Sequence, residues 1–318
     1  LPVSNKPLLS VVMPIHEGAK WIAATLDSLV SEPTENIEII AIDSSSNDVT
    51  SAIVRQYEPR LPIHVLIRQD LVPWQTKTNL GVQLATGDYC CILHQDDLWL
   101  PGRMDAVRRW LKLAPNCVLH LAPTAIVDSR GQHVGKWRCP LPGGQILTEK
   151  LLIERLLVQN FVSVPAPVFR RDAWLSGGGM DERLWYTPDW DIWLKLAVAG
   201  PVMYHEEYTT GFRVHGSSLT ISGSRDRHEF QSQMEIVLAR HIGRIPISIR
   251  GRVDRAARAS INVNVSLAAA SAGNPNMLLP AVAKLLSLGP GGMRRYLRDS
   301  RLLERLIPRL RSKISGAF

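Results

Sequence analysis

CCILHQDDLWLPGRM, residues 90–104, decides how the rest of the chain is read. The apolar run at 90–93 has the character of a strand, and it ends abruptly on two adjacent acids, Asp96 and Asp97. A strand buried on both faces cannot carry an uncompensated carboxylate, whereas the C-terminal mouth of a strand in an open α/β sheet is where ligands bind. Two neighbouring acids repel, and a divalent cation or a donor-rich ligand relieves that repulsion. A plainer reading stays open at this point. Acids are common in the first turn of a helix, and Asp97 could simply start the helix near Pro101.

Upstream of this turn the chain alternates short apolar runs with helical patterns. LLSVVMPI (8–15) precedes a helix near 18–30, IEIIAID (37–43) precedes one near 47–57, and IHVLIR (63–68) precedes one near 75–85. YCCILH (89–94) then leads to the helix after Pro101. Such a βαβα rhythm predicts a parallel sheet with helices on both faces. The loops HEG, DSSSND, RQD and HQDD then converge at one edge of it, which is what a nucleotide pocket requires. Neither GxGxxG nor GxxxxGK[ST] follows the first strand, so dinucleotide oxidoreductases and P-loop NTPases lose their main support.

Downstream the pattern is mixed. CVLHLAP and TAIVDSRGQHVGKW read as strands with a hairpin turn at 129–132, and ILTEKLLIERLL reads as a helix capped by Thr148. VPAPVFRR reads as a further strand, and a loop then leads to a helix opened by Pro188. Residues 224–241, 248–272 and 276–287 read as helices. With 318 residues, 45% of them hydrophobic, the chain can bury a sizeable core in one large or two ordinary domains. No apolar run reaches the roughly 18 residues of a spanning helix, and LPVSNKPLLS lacks the layout of a signal peptide, so the expected location is cytoplasmic. Cys90, Cys91, Cys117 and Cys139 show no CxxC spacing and read as buried free thiols.

Of the net charge of +8, residues 290–318 carry +6, which leaves +2 for the first 289 residues and argues against a nucleic-acid-binding core. In that tail Met293, Tyr296, Leu297, Leu303, Leu306, Ile307 and Leu310 recur at three-to-four spacing between arginines. The pattern predicts a basic amphipathic helix kinked at Pro308. It could lie on an anionic membrane, at the inner membrane surface, or pack against the rest of the chain or a second subunit as a homodimer contact.

Taken in order, SVVMPIHEGAKWIAATLDSLV, IEIIAID with SSSND, KTNLGVQLATGDYCCILHQDD, DERLWYTPDWDIWLKLA and FRVHGSSLT resemble the family-2 inverting glycosyltransferases of the GT-A fold, over roughly residues 8–222. The resemblance implies a mixed, mostly parallel α/β sheet flanked by helices. It divides the chain into a glycosyltransferase domain at 1–222 and a C-terminal helical extension at 223–318. Within the former, 1–100 would be the nucleotide-binding half and 101–222 the acceptor-binding half. The implied reaction moves a sugar from a nucleotide-diphosphate sugar, a UDP-sugar by family frequency, to a carbohydrate, lipid-linked or small-molecule hydroxyl.

Carried over by position, Asp43 would contact the nucleobase, with the backbone near Pro14 and His16 in the same pocket. Asp96 would lie near the ribose and diphosphate, and Asp97 would ligate Mn²⁺ or Mg²⁺, hard cations suited to carboxylate and phosphate oxygens. His215 would be a second metal or pyrophosphate ligand, and Arg68, Lys77 and Arg213 anion contacts. Asp189 holds the position of the catalytic base. Asp191, two residues on, would point elsewhere on a helix, but the roles swap if the helix begins later. Trp185 or Tyr186 could shape an acceptor site, while Trp99, Trp190 and Trp193 suit the core. Three departures stand out: Ser44 and Ser45 follow Asp43, His94 replaces an acid in the DxDD-type motif, and Pro188 replaces a glutamate. His94 and Pro188 keep a non-catalytic nucleotide-sugar-binding scaffold in view. A sugar-phosphate nucleotidyltransferase would need a glycine-rich basic loop where HEGAKW stands.

Overall fold

The computed structural model describes residues 6–216, 226–271, 274, 276 and 278–314. The boundary expected at 222 and the segment Ser217 to Thr220 of the FRVHGSSLT motif lie outside them. The first half forms β1 (Leu9–Ile15), α1 (Ile22–Val30), β2 (Ile37–Asp43), α2 (Val49–Arg55), β3 (Ile63–Ile67), α3 (Trp74–Leu84) and β4 (Tyr89–Ile92). β1 lies between β2 and β4, parallel to both, with Ile15 beside Asp43 and Val12 beside Ile92. β3 continues the parallel run on the far side of β2. All seven residues of β1 are buried, as a strand covered on both faces requires. Because the four strands share one direction, their C-terminal loops meet at one edge, as the βαβα rhythm predicts.

Gly81 explains why α3 sits so close to this sheet. A Cβ there would fall 2.3 Å from Cγ1 of Val12, so only glycine permits the approach, despite a cost of about 1 kcal/mol in a helix interior. One turn earlier, on the same face, Lys77 is carried into the sheet's mouth.

The chain continues through β5 (Leu98–Trp99), α4 (Arg103–Leu113), β6 (Leu119–Leu121), β7 (Thr124–Val127), β8 (His133–Trp137), β9 (Gln145–Leu147), α5 (Glu149–Val158), β10 (Val168–Arg170), α6 (Arg171–Ser176), α7 (Pro188–Ala199), β11 (Val202–Tyr204) and β12 (Thr210–Arg213). The main sheet has the order β3-β2-β1-β4-β10-β6-β11-β9, with β10 antiparallel to both neighbours and β9 antiparallel at the edge. A second sheet, β5-β12-β7-β8, holds the strand that follows HQDD against the strand that precedes His215. The β7–β8 hairpin and the Thr148 cap, whose Oγ1 accepts from Leu151 N at 3.3 Å, form as expected. β5 and β9 were not anticipated. Each has two or three residues, and its pairing partner lies more than fifty residues away in the chain.

The C-terminal helices are α8 (Arg227–His241), α9 (Ile247–Ser271), α10 (Leu278–Leu286), α11 (Gly289–Ser300) and α12 (Leu302–Ile314). Phe230, Val237, Val253 and Ala257 from α8 and α9 join the hydrophobic cluster that contains Leu156, Trp193 and Phe169. The tail differs from the single helix kinked at Pro308. It breaks at Arg301, which adopts φ +49° between α11 and α12, and Pro308 is buried inside α12. The Pro308 ring fills the space above Gly135 of β8, where a Cβ would come within 2.2 Å, and Arg138 and Arg301 both pair with Glu304. The tail therefore packs against the rest of the chain, while Leu297, Leu303 and Ile307 stay 39%, 55% and 43% exposed. All four cysteines are buried and unpaired. No described helix is long and apolar enough to cross a membrane.

Candidate active site

At the mouth of β2, Asp43 Oδ1 accepts from the Ser45 amide at 2.8 Å and the Ser45 hydroxyl at 2.6 Å, while its Oδ2 is buried without a partner. A cleft of about 130 Å³ opens beside it, lined by Ser45, Asn47, Asp48, Ile67 and Gln69 among others. Pro14 is buried in β1 opposite Ile42. His16 is bound at its backbone by Gln95, whose Oε1 accepts from the His16 amide at 2.7 Å and whose Nε2 donates to the His16 carbonyl at 2.8 Å. Lys77, expected among anion contacts, is 1% exposed and donates to the Ile15 carbonyl at 2.6 Å and the Ser44 hydroxyl at 2.7 Å. Burial lowers its pKa to about 8 against the opposing pull of Asp43. It ties the ends of β1 and β2 together. Arg68 lies next to this edge, its amide donating to the Asp43 carbonyl at 2.8 Å, but its guanidinium forks onto Asp70 at 2.9 and 2.7 Å.

The HQDD segment closes into a turn, with the Asp97 amide donating to the His94 carbonyl at 3.1 Å. That turn brings potential ligand atoms of His94, Asp96 and Asp97 within 4.8 Å of one another. Asp97 Oδ1 accepts from the Arg213 amide at 3.0 Å, and its buried Oδ2 has no partner; nor does Nε2 of His94. Burial and the neighbouring Asp96 charge push the Asp97 carboxyl well above its ordinary pKa, despite Arg213. Burial opposes the Asp96 charge too, yet its hydrogen bond with His215 and the proximity of His94 hold it below the usual carboxylate range. A carboxylate strained in this way, beside orphaned donor atoms, fits a divalent cation by geometry and by charge.

His94 stands inside this donor set, although the sequence marks it only as the loss of one negative charge. His215, expected as a ligand, borders this set: its Nε2 meets Asp96 Oδ2 at 2.8 Å and its ring lies 4.8 Å from Trp21. Arg213, expected to face an anion, is likewise turned inward. Its Nε donates to the Asp96 carbonyl at 2.8 Å and its Nη1 to the Asp128 carbonyl at 3.1 Å, with the guanidinium 5.0 Å over Trp21.

The second acid centre lies at the start of α7, where Pro188 occupies the first turn. Asp189 is half-buried and accepts from Asn160 Nδ2 at 2.8 Å. Burial pushes its pKa up to about 6, with the Asn160 bond working the other way. Asp191, the alternative base, is fully buried. Its carboxylate is paired with Lys195 at 2.9 Å, Arg240 at 2.7 Å and His241 at 2.8 Å. Burial alone would raise its pKa, but these partners bring it down to about 2. The two acids thus have opposite surroundings, one poised to titrate and one locked in an ionic node that reaches α8.

Aromatic side chains connect the two centres. Trp74 meets the His94 ring edge-on at 5.0 Å and donates from Nε1 to the Trp185 carbonyl at 3.3 Å. Trp185 and Tyr186 are half-buried just before α7, with Trp185 Nε1 bonded to Glu229 and Tyr186 edge-on to Phe230 at 4.4 Å. Trp99, Trp190 and Trp193 are core residues, as expected. Asn160, Gln95 and Trp74 in its linking role were missed. Gln95 lies inside the motif itself, whereas Asn160 falls in an irregular segment beside Gln159 and carries no local signal.

The sequence family described as Glycosyl transferase family 2 matches residues 10–154. An uncharacterized glycosyltransferase of Rickettsia prowazekii is 24% identical over 232 residues, covering 71% of this chain and 70% of the relative. The chondroitin synthase of Escherichia coli is 24% identical over 220 residues, 68% of this chain and 30% of that enzyme. Among solved structures, S. aureus TarS 1–349 in complex with UDP-GlcNAc superposes with a TM-score of 0.62 at 15% identity, covering 98% of this chain and 92% of that one. The mannosyltransferase PcManGT from Pyrobaculum calidifontis, in complex with GDP-Man and Mn²⁺, gives 0.54 at 17% identity, covering 95% and 88%. These two likenesses are of fold. Acid-bearing turns at the mouth of a mostly parallel sheet, the family match over residues 10–154 and the relatives agree: that stretch is a family-2 glycosyltransferase region, and the chain has the GT-A fold.

Proposed function

We propose that this glycosyltransferase is metal-dependent and inverting, and that it takes a nucleoside-diphosphate sugar, a UDP-sugar, with Asp189 as its base. The contrast between the two α7 acids carries the reading: Asp189 is half-buried with its pKa raised to about 6, while Asp191 is fully ion-paired with its pKa at about 2. A base that removes the proton of an acceptor hydroxyl must be ionised at working pH and still basic, and only Asp189 satisfies both conditions. Its carboxylate draws that proton as the hydroxyl oxygen attacks the anomeric carbon from the face opposite the leaving group, which turns an α-linked donor into a β-linked product.

On the donor side, Asp43 with its free Oδ2 faces the nucleobase, and the His16 backbone, set by Gln95, lines the same pocket. Asp96 lies toward the ribose and diphosphate, held by His215. Asp97, with Asp96 and His94, would hold the divalent cation. Such a cation, when bound, neutralises charge gathering on the departing diphosphate. Residues 1–100 serve the donor and 101–222 the acceptor, with Trp185 and Tyr186 as one wall of the acceptor site. The nucleotide complexes of the two structural neighbours support a donor of this class.

Transfer and donor hydrolysis with UDP-sugars and Mn²⁺ test the assignment. Asp189→Asn should lower kcat by about 10²- to 10⁴-fold and leave UDP affinity within about twofold. Equal turnover in wild type and Asp189→Asn removes Asp189 as the base.

A further inference from the structure

A surface cavity of about 290 Å³ lies between α5, the segment at 140–142 and the junction of α11 with α12. Three guanidinium groups line it, from Arg155, Arg298 and Arg301, against the single carboxylate of Asp299. Arg298 satisfies that carboxylate through Nε at 2.7 Å and Nη2 at 3.1 Å. Arg301 reaches Glu304 with Nη1 at 3.1 Å, but its Nε is buried without a partner. The half-buried Arg155 guanidinium makes no hydrogen bond or ion pair among the described residues. Burial lowers its pKa from the ordinary value, Asp299 and Glu154 oppose that, and the charges of Arg298 and Arg301 add to it.

A guanidinium carries five N–H donors and no acceptor, so leaving one partly desolvated among like charges is costly unless an anion joins it. The planar fork suits phosphate oxygens, which it can take two at a time. The cavity has room for a phosphate and several waters, each of which takes up roughly 30 Å³. Pro140, Leu141 and Leu151 add apolar surface to its lining. A lining that mixes arginines with carbon matches an ester better than a bare ion.

We propose that this cavity binds the phosphate group of a phosphate ester, with Arg155 as the principal contact and Arg298 and Arg301 flanking it. The ester is either a phospholipid headgroup or a soluble metabolite. Exposed Leu297 and Leu303, close in sequence to these arginines, place apolar surface on the same two helices. The site is separate from the donor edge and does not depend on the assignment of the base.

The full chain is floated with vesicles of phosphatidylglycerol and phosphatidylcholine, with phosphatidylcholine vesicles as reference, and titrated calorimetrically with glycerol 3-phosphate. Binding in the anionic-vesicle arm alone identifies a lipid headgroup, and binding in the calorimetric arm identifies a soluble ester; either supports the proposal. In the arm that binds, Arg155→Gln should weaken association about 10-fold or more. Arg255→Gln, which removes an equal charge from an exposed site on α9, should change it less than about twofold. Arg298→Gln should act in the same direction as Arg155→Gln, and unchanged UDP binding and melting temperature certify the fold of each variant. Absence of binding in both arms, or equal losses in Arg155→Gln and Arg255→Gln, overturns the proposal.

Discussion

Removing the Asn160 side chain should move the acid limb of the pH–rate profile and leave the rest of the machinery in place. Asn160 Nδ2 donates to Asp189 Oδ2 at 2.8 Å in a part-buried setting, and it opposes the upward push of burial. A hydrogen bond to an ionised group contributes about 1.5 to 3 kcal/mol, and 1.36 kcal/mol corresponds to one pH unit, so Asn160→Ala should shift the limb upward by about one to two units. Water entering the vacated space would recover part of the bond and favours the lower figure. As the proposed base, Asp189 must be ionised to act, so activity should be present above the limb and lost as pH falls through it, with the wild-type loss expected near 6. At pH 7 the variant should therefore be slower by about two- to tenfold and recover most of its rate by about pH 9. The assay is kcat/KM for sugar transfer across that range, with Asp189→Asn as the variant that has no limb. A limb that stays in place in Asn160→Ala, or moves down, refutes both the hydrogen-bond argument and the assignment of the titrating group.

Restoring an acid at the metal turn, His94→Asp, should raise the Mg²⁺-supported rate relative to the Mn²⁺-supported rate, because imidazole favours the softer metals and carboxylate the harder; the ratio of the two rates is the measurement. Asp97→Asn should abolish the metal dependence of UDP binding, which calorimetry with and without a chelator reads directly. Arg240→Ala leaves the fully buried Asp191 with only Lys195 and His241, and should destabilise the fold by about 2 to 3 kcal/mol in urea unfolding, below the usual cost of breaking a buried pair because two partners remain. The Asp191 carboxyl is depressed in the fold, so its contribution is present above the ordinary carboxylate pKa and is lost as pH falls toward about 2. The wild type's extra stability over Arg240→Ala should shrink over that acid window. Gly81→Ala should destabilise by about 1 to 3 kcal/mol and loosen Lys77, since its Cβ would meet Val12 at 2.3 Å.

The parallel half of the fold was legible because β1 and β2 are seven-residue apolar strands buried almost throughout, and short apolar runs alternate regularly with helical segments on either side of them. The Thr148 cap and Pro188 at the start of α7 were legible for a different reason: each acts on backbone groups within a few residues. β5 and β9 were not, since two or three residues become a strand only when distant segments supply the pairing. In the site, Asp97 and Asp189 stand in positions that their motifs mark, while the choice between Asp189 and Asp191 depended on where the helix begins, which the sequence left open. Lys77 was expected as an anion contact, and its inward course, onto the Ile15 carbonyl and the Ser44 hydroxyl, follows from the close approach that Gly81 permits, which no local pattern announces. His94 was undervalued for a related reason. Its charge was compared with that of an acid, whereas the tightness of the turn, which brings its ring to the two aspartates, decides its place.

The cross-ties at the donor edge bear on how fast and how selectively that edge can work. Gln95 grips the His16 backbone from both sides, and Lys77 fastens the Ile15 carbonyl to Ser44, so the loops after β1, β2 and β4 already hold one another before any nucleotide arrives. Freezing a mobile side chain on association costs about 0.5 to 1.5 kcal/mol each time, and a rigid edge avoids that repeated loss. Recognition of the nucleoside diphosphate should then resemble a key entering a finished lock, with little heat-capacity change beyond the surface covered. On the proposed assignment, whatever moves during turnover is left to the acceptor side, where Trp74 and Trp185 connect the HQDD turn to the start of α7.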